Sequence, residues 1–210
     1  MYQLLNNDWD RKKHFVFFQS RSNPRLCVSF FASVKNWLSY RKGKNLRFTD
    51  YIYYSALLAA NNVKEFRHRI VNLQPVEFNS INAAFTYIPH SCELHCNCIS
   101  EFSENFSVFS GNIQTARKLA DREPTLTPGG GDGQNLIYFS CLKDISFYSM
   151  TNPWGDPWTD SVPRIVFGKF NEEGQMPVSV EVLHSFIDGP HLSSFVKNFQ
   201  ATLDSPDIYI

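Results

Sequence analysis

The sequence VSVEVLHSFIDGP, residues 178–190, predicts a β-strand that runs directly into a turn and a helix. Alternate positions hold three valines and then His184, so on a strand all four side chains project from one face. Asp188 or Gly189 can cap the helix, and Pro190 suits its first turn, where the missing N–H costs nothing. We therefore expect a titratable histidine at the end of a strand, four residues before a carboxylate.

The helix after Pro190 has an apolar stripe to bury, because large apolar side chains recur at helical spacing. The stripe comprises Leu192, Phe195, Val196, Phe199 and Leu203. Catalytic residues concentrate at strand ends and in loops that a rigid scaffold carries, which makes His184 a candidate catalytic residue. Spacing alone leaves open the alternative that His184 is a buried structural histidine and Asp188 only a helix cap.

The bulk composition bounds the class of protein. A chain of 210 residues suits one large domain or two small ones with a substantial core. Acidic and basic residues balance at 20 each, so we expect neither nucleic acid nor an anionic membrane as a partner. The most apolar run, near residues 51–60, is too short to span a bilayer. Residues 1–13 lack the apolar core of a secretory signal, which predicts a cytoplasmic protein.

The order of the predicted elements indicates an α/β protein, of the α+β two-layer sandwich type. Strands and helices mix without strict alternation, and several late strands follow one another directly, which predicts a mixed, mostly antiparallel sheet covered on one side by helices. Neither a repeat nor a linker divides the chain, so residues 1–210 are expected to form a single domain. Helices are predicted at 9–18, 33–41, 49–60, 101–120 and after 190. Strands are predicted at 26–32, twice within 75–98, at 137–150, where Lys143-Asp144 could interrupt the strand, and at 164–170 and 176–187.

A dense set of potential metal ligands occupies a short window of the chain. The set comprises His90, Cys92, His95, Cys96 and Cys98. On a strand four of these side chains lie in a line, whereas a tetrahedral zinc site needs converging ligands, so we expect buried thiols and no metal site. The five cysteines are odd in number and irregularly spaced, which argues against a disulfide framework. The glycine-rich segment Gly129–Gly133 lacks the Lys-Ser/Thr of a phosphate-binding loop and is predicted to be a surface connection.

Two kinds of catalysis compete for the polar residues. Ser146, His184 and Asp188 could act as nucleophile, base and orienting acid of a serine hydrolase. However, the sequence has no Gly-x-Ser-x-Gly elbow to expose the serine, and Ser146 follows Ile145 in a strand-like run. The other hypothesis treats His184 as a lone general base. A neutral imidazole has suitable basicity to take a proton from an alcohol that attacks an activated acyl group.

Five motifs resemble those of the chloramphenicol acetyltransferases. Residues 183–189 resemble the His-His-x-x-x-Asp-Gly signature, which other CoA-dependent acyltransferases and peptide-synthetase condensation domains also carry. Residues 9–15 resemble Trp-x-Arg-Lys-x-His-Phe, and residues 65–67 match Glu-Phe-Arg. Residues 145–147 match Val-Ser-Phe and residues 168–170 match Gly-Lys-Tyr, in the family's order and at nearly its spacing. The resemblance covers almost the whole chain.

The resemblance implies an acetyl-CoA-dependent O-acetyltransferase of chloramphenicol, an activity associated in the family with antibiotic resistance. His184 would deprotonate the primary hydroxyl, which attacks the thioester carbon of acetyl-CoA directly, without an acyl-enzyme. Ser146 would donate a hydrogen bond to the oxyanion, an interaction typically worth about 10²–10³ in rate. Arg11 and Asp188 would form a structural ion pair that holds the turn after His184. No metal is implied.

The resemblance also implies where the substrates bind. Phe17 and Phe18 fall where the family has aromatic residues lining the acceptor pocket, and Lys169 lies near the expected position of CoA. The family is homotrimeric, and each active site combines the histidine of one chain with much of the acceptor pocket of its neighbour. For each residue an alternative without a catalytic or binding role stays open. Arg11 could belong to a solvated basic face, Ser146 could be a strand hydroxyl bonded to the backbone, the two phenylalanines could be ordinary core residues, and Lys169 could be a surface charge.

Three departures from the family pattern bear on the acceptor. Leu183 replaces the first histidine of the signature, and Val166 stands where the family usually has a threonine that holds a water. The segments 90–98 and 124–134 differ as well. Three hypotheses follow: a chloramphenicol O-acetyltransferase, an acyltransferase of the same fold with a different hydroxyl acceptor, or a catalytically silent homologue that binds small aromatic molecules.

Overall fold

The structure is a computed structural model, and it describes residues 1–6, 8–90, 92–130 and 133–210. Within these ranges the strands are β1 (Tyr2–Leu4), β2 (Arg25–Ser33), β3 (His68–Val71), β4 (Gln74–Phe78), β5 (Asn82–Tyr87), β6 (Cys96–Ser100), β7 (Leu136–Cys141), β8 (Arg164–Phe167) and β9 (Gln175–Leu183). The helices of the same ranges are α1 (Lys12–Gln19), α2 (Lys35–Tyr40), α3 (Phe48–Asn61), α4 (Phe106–Arg122), α5 (Gly189–Asp204) and α6 (Pro206–Tyr209). The strand, turn and helix predicted around His184 are confirmed as β9 and α5.

The described strands form two sheets. The larger sheet has the strand order β2-β9-β8-β7-β5-β6, and the smaller has the order β1-β4-β3. The pairs β5–β7 and β7–β8 are parallel, while β2–β9, β8–β9 and β5–β6 are antiparallel. The sheet is therefore mixed and mostly antiparallel, as the sequence predicted.

The main core lies between the larger sheet and the helices that cover one of its faces. Val178, Val180 and Val182 on β9 are fully buried there, which confirms the face predicted from their alternation. On α3, the Tyr53 ring stacks on Phe139 of β7 with centroids 5.1 Å apart. The opposite face of β9 presents polar side chains, because strand residues alternate between the two faces.

Several element boundaries differ from the predictions for identifiable reasons. The predicted helix 101–120 begins at Phe106, because the Asn105 side chain caps it by accepting a hydrogen bond from the Val108 N–H at 3.1 Å. The predicted strand 137–150 ends at Cys141, and the residues that follow form an irregular loop. The first helix begins at Lys12, and the region 75–98 leads into a further strand, β6.

The strand β3 was not predicted, because its sequence is polar. Arg69 in β3 is fully buried, and its guanidinium donates hydrogen bonds to carbonyl oxygens of four residues. The acceptors are Phe66, His68, Gln134 and Leu136. A buried charge is tolerated when it is hydrogen-bonded in this way, and two of the four acceptors, Gln134 and Leu136, lie in a segment that the sequence alone does not bring near Arg69.

The glycine-rich connection is described only in part, because Gly131 and Asp132 lie outside the described residues. Gly129 and Gly130 both have positive φ angles, of 66° and 91°, which a residue with a Cβ rarely adopts. Across the described ranges, none of the helices has the length and apolar character needed to cross a membrane.

Candidate active site

His184 is the first residue after β9, and its ring is fixed from two sides. The backbone N–H of His184 donates to the Pro24 carbonyl at 2.8 Å, which extends the pairing of β9 beyond the strand. Nδ1 lies 3.0 Å from the Ile187 carbonyl oxygen. A carbonyl can only accept, so this contact places the proton on Nδ1 and leaves the lone pair of the neutral ring on Nε2. The geometry suits Nε2 as a proton acceptor.

An aromatic ring covers one side of this imidazole. The Phe18 ring, at the end of α1, stacks on His184 with centroids 4.0 Å apart and an interplanar angle of 20°. Phe17 contacts Phe18 edge to face at 5.1 Å and is itself about half exposed. The structure thus brings both predicted rings next to the predicted base, and the histidine remains half-buried.

Arg11 clamps the turn that carries His184. Its Nη1 donates to Asp188 Oδ2 at 2.6 Å, which confirms the predicted ion pair. Its Nη2 donates to the His184 carbonyl at 3.0 Å, and its Nε donates to the Ser185 carbonyl at 3.3 Å. One guanidinium therefore fixes both ends of the turn through the fork of donors that distinguishes arginine from lysine.

Asp188 also caps α5, as predicted, and the helix carries a residue that the sequence argument missed. His191, at the third position of α5, lies with Nδ1 2.7 Å from Asp188 Oδ1, and its Nε2 lies 3.6 Å from Glu65 Oε1. The three-residue spacing from cap to His191 is the spacing of a capping box, so this partner was available as a sequence signal. A second missed residue is Gln19, whose Oε1 accepts a hydrogen bond from the buried Ser185 hydroxyl at 2.7 Å.

The charge balance at Asp188 favours its ionised form. Desolvation raises the pKa of this carboxyl, but the hydrogen bond and the positive charge of Arg11 outweigh it, and the net pKa lies below the ordinary value. A lowered carboxyl pKa contributes stability above the pKa of the unfolded chain, and that stability is lost as pH falls through the lowered value. The clamp is therefore intact at neutral pH.

We expect Arg11→Ala to destabilise the fold by about 3 kcal/mol, because it leaves Asp188 without its main counter-charge. Arg11 is 11% exposed and Asp188 29%, so water compensates the lone carboxylate only in part. Urea unfolding of Arg11→Ala measures the loss, and Arg11→Lys is the control that keeps the charge but not the fork. A variant as stable as the wild type would contradict this structural role.

A second histidine lies behind the site in a dry environment. His68 is 1% exposed between the rings of Trp9 and Phe186, at centroid distances of 5.5 and 5.7 Å. Among the described residues, neither of its ring nitrogens has a hydrogen-bond partner. Burial lowers the pKa of His68 from 6.5 to about 3, although Glu77 acts in the opposite direction. His68 is thus neutral in the folded protein.

We expect His68→Leu to make the fold less sensitive to acid. In the wild type, the unfolded chain binds a proton at His68 below pH 6.5 while the folded chain does not, so stability falls as pH drops from about 6.5 towards 3. The extra loss amounts to at most about 1.4 kcal/mol per pH unit for one proton. Urea unfolding at pH 7, 6 and 5 measures it, and parallel stability curves for variant and wild type would exclude this assignment.

Ser146 lies in the irregular loop after β7 and not in a strand, which corrects the strand-like assignment of its segment. Its side chain is exposed, and its hydroxyl has no hydrogen-bond partner in the described part of the chain. The residue before it is held by a hydrogen bond from the Lys169 N–H to the Ile145 carbonyl at 2.8 Å. The loop therefore lies where β8 ends and β9 begins.

Ser146 and His184 stand at opposite ends of β9. The loop of Ser146 packs at Pro177 near the start of β9, and His184 follows its last residue. Seven residues of extended chain from Pro177 to His184 span roughly 23 Å. Within one chain, then, these two side chains are too far apart to act on one bond. This separation also excludes a serine hydrolase dyad formed within a single chain, which requires direct hydrogen bonding.

Lys169 lines a cavity at the same end of β8 as Ser146. The cavity has a volume of about 530 Å³, and four cationic residues lie around it. These residues are Arg41, Arg47, Lys143 and Lys169. Phe48 and Phe170 provide apolar surface between the charges. The arrangement fits an elongated ligand that combines phosphate groups with an apolar part, since phosphates prefer clustered lysine and arginine.

The histidine- and cysteine-rich window does not form a continuous strand. Only Cys96 and Cys98 lie in β6, where both are buried, while His90, Cys92 and His95 precede it. Burial raises the pKa of the Cys98 thiol to about 12, so it is protonated at neutral pH. The described residues contain no group of three or more histidine, cysteine or acidic side chains that could hold a metal ion.

Comparisons with known proteins agree over nearly the entire chain. Residues 2–200 match the family model described as chloramphenicol acetyltransferase. Chloramphenicol acetyltransferase 3 of Escherichia coli is 24% identical over 206 residues, covering 94% of each chain. A chloramphenicol acetyltransferase of Staphylococcus aureus is 24% identical over 208 residues, covering 97% of this chain and 96% of its own.

Solved structures show the same likeness. A structure titled chloramphenicol acetyltransferase superposes with a TM-score of 0.87 at 25% identity, covering 97% of this chain and 100% of its own. A probable dihydrolipoamide acetyltransferase from Listeria monocytogenes superposes with a TM-score of 0.65 at 10% identity, which shows a shared fold alone, over 96% of this chain and 93% of its own.

Proposed function

Because the chain belongs to the chloramphenicol acetyltransferase family, we propose that it transfers the acetyl group of acetyl-CoA to the primary hydroxyl of chloramphenicol. Family membership makes the chain an acyltransferase. The observation that carries the proposal further is the His184 ring, whose Nδ1 contact with the Ile187 carbonyl leaves Nε2 as a proton acceptor beside an aromatic wall. We assign the catalytic base to His184 on this ground.

The proposed reaction is a direct transfer in two steps. Nε2 of His184 takes the hydroxyl proton as the substrate oxygen attacks the thioester carbon, and the carbonyl oxygen becomes an oxyanion. The Ser146 hydroxyl donates a hydrogen bond to that oxyanion. When the tetrahedral intermediate collapses, the C–S bond breaks, the new ester forms and the proton on His184 neutralises the CoA thiolate. Arg11 and Asp188 take no part in proton transfer and keep the turn in place.

Because Ser146 and His184 are separated by the length of β9, the proposed chemistry needs two copies of the chain. We assign each site to a subunit interface, where the base of one copy faces the serine loop of the next. One contact repeated around a closed ring satisfies every site. The family resemblance implies a ring of three copies, so the proposed assembly is a homotrimer. The polar face of the larger sheet, opposite its helices, is available for this contact, and a groove on it is lined by Thr86, Asn97, Ser140, Asn152 and Arg164.

The cavity beside Lys169 is the proposed site of acetyl-CoA. Its four cations suit the phosphates, its two phenylalanines suit the apolar parts of the molecule, and it adjoins the loop of Ser146, which must meet the thioester. The proposal needs no metal ion. Within this scheme the whole chain, residues 1–210, works as one acetyltransferase domain, and the proposed place of the reaction is the cytoplasm.

We expect Lys169→Ala to raise the KM for acetyl-CoA about five- to tenfold, because one charge-assisted contact to a phosphate is lost. The kcat should stay unchanged, since the lost contact is the same in ground and transition states. Steady-state kinetics with acetyl-CoA measures both, and Lys197→Ala, which removes an exposed lysine of α5 that does not line the cavity, is the matched control. Equal KM values for the two variants would place the cofactor elsewhere.

A second candidate is an acyltransferase of this fold with a different hydroxyl acceptor. Val166 favours it, because this buried side chain in β8 carries no hydroxyl to hold a water near the intermediate. Phe17 and Phe18 would line the acceptor site in either case. The two candidates share His184, Ser146 and the cofactor cavity, and they differ only in which alcohol fits beside the rings.

One assay tests the proposal and separates the candidates. Purified protein is incubated with acetyl-CoA and a panel of alcohols that includes chloramphenicol, and release of the free thiol is followed over time. Saturable thiol release with chloramphenicol supports the first candidate, and release with another alcohol alone supports the second. No release with any alcohol, together with no CoA binding by calorimetry, would indicate a silent homologue.

A further inference from the structure

Gly168 is the point at which the Ser146 loop meets β8 and β9. The Gly168 N–H donates to the Pro177 carbonyl at 2.9 Å, which ties the end of β8 to β9. The next N–H, of Lys169, donates to the Ile145 carbonyl at 2.8 Å and ties the same point to the loop. Two successive amide groups thus point in opposite directions, one into the sheet and one toward the residue that precedes Ser146.

The space at Gly168 admits no side chain. A Cβ built on this residue would lie 2.7 Å from Pro177 Cγ, 2.8 Å from Phe147 Cε1 and 2.9 Å from the Ile145 carbonyl oxygen. Ordinary van der Waals contacts at a Cβ begin near 3.4 Å, so each of these three neighbours would have to retreat by about 0.5 to 0.7 Å.

The three neighbours do not yield equally. Pro177 is buried in β9, pairs with Phe31 of β2 and has a rigid ring. Ile145 and Phe147 belong to the irregular loop, and Ile145 is more than half exposed. The loop is therefore the part that moves, and Ser146 lies between the two residues that are pushed.

We propose that Gly168 is a positioning residue for Ser146, its missing side chain allowing the loop to pack where the serine hydroxyl meets the oxyanion. The inference rests on the proposed role of Ser146 as the oxyanion donor. A hydroxyl without a partner in the described part of the chain is not held by its own hydrogen bonds. Its position is set by the residues on both sides of it, and the Ile145 carbonyl and the Phe147 ring both lie next to Gly168.

The test begins with Gly168→Ala. We expect kcat at saturating acetyl-CoA and acceptor to fall about 10- to 100-fold, because sub-ångström misplacement of a catalytic group is costly. Gly111→Ala is the matched control: Gly111 lies in α4 with no atom within 4 Å of an added Cβ, so it should keep the wild-type kcat.

The decisive measurement places the same substitution in a Ser146→Ala background. A residue that acts only through Ser146 cannot slow an enzyme that already lacks the serine hydroxyl. In the Ser146→Ala background, Gly168→Ala should therefore lower kcat by less than about twofold. An equal loss in both backgrounds overturns the proposal, because Gly168 then acts independently of Ser146. A wild-type kcat for Gly168→Ala overturns it as well.

The folding of Gly168→Ala and the activity of Ser146→Ala alone decide how the comparison is interpreted. If Gly168→Ala does not fold, Phe147→Ala loosens the same contact from the loop side, and the same comparison with and without Ser146→Ala decides the matter. If Ser146→Ala alone keeps the wild-type kcat, the oxyanion role in the proposed function is wrong, and the positioning role of Gly168 is excluded with it. The single Ser146→Ala variant thus tests the proposed function before Gly168 is considered.

Discussion

His184→Ala is expected to reduce the turnover number about 10²- to 10⁴-fold, which is the range that a positioned general base contributes. The physical reason is the orientation of the ring. Its Nδ1–H is committed to the Ile187 carbonyl, so Nε2 is the one nitrogen that can receive the substrate proton. Alanine removes this acceptor, and a hydroxyl that must lose its proton to water attacks the thioester slowly.

The His184→Ala substitution should reduce the rate of the chemical step without changing the stability of the fold or the binding of CoA. His184 is half-buried at the end of β9, and its contact with Phe18 lies at the surface of the fold, so urea unfolding and calorimetric binding of CoA should match the wild type. His184→Gln is a control that keeps a polar group of similar reach without a basic nitrogen, and it should be as slow as alanine. Turnover within threefold of the wild type in either variant would rule out this base.

Mixed oligomers of two inactive variants are expected to regain activity. His184→Ala and Ser146→Ala chains, each with a different affinity tag, are co-expressed and purified over both tags in turn. In any ring of three that contains both variants, one interface pairs an intact His184 with an intact Ser146, so about one third of the wild-type turnover should return. The separation of the two residues along β9 is the reason for this expectation.

The same experiment contains its own controls. As a control, two differently tagged copies of the same variant are co-expressed and purified over both tags. These oligomers should show only the low turnover of that single variant. Mixed oligomers that stay inactive would mean that one chain supplies both residues to a site, which contradicts the proposed interface. Analytical ultracentrifugation of the wild type, with a mass other than three times 24.2 kDa, would contradict the trimer directly.

The parts of the site that the sequence predicted are those set by short-range chemistry. Alternation along β9 identified the buried face, because the period of two is a property of extended chain alone. Asp188 and Pro190 identified the start of α5, because capping depends on residues within a single turn. Arg11 and Ser146 were assigned through the resemblance to a family and not through local chemistry.

The parts that the sequence did not predict depend on contacts between distant segments. The buried strand β3 is stable only because carbonyls from other segments satisfy Arg69. Of the four cations around the cavity beside Lys169, only Lys169 lies in a recognised motif, and Arg41, Arg47 and Lys143 come from other stretches of the chain. The loop of Ser146 has a strand-like sequence around Ile145, and its contact with Gly168 joins segments that are distant in the sequence.

The contact between Arg11 and Asp188 spans 177 positions of the sequence. The guanidinium is synthesised 177 positions before the carboxylate that it binds, so Arg11 cannot hold the turn of His184 until residue 188 has been made. Contacts of such large sequence separation also form slowly, since a long loop must close first. A fragment that lacks either Arg11 or the segment around Asp188 should therefore have a poorly ordered turn and little of the proposed activity.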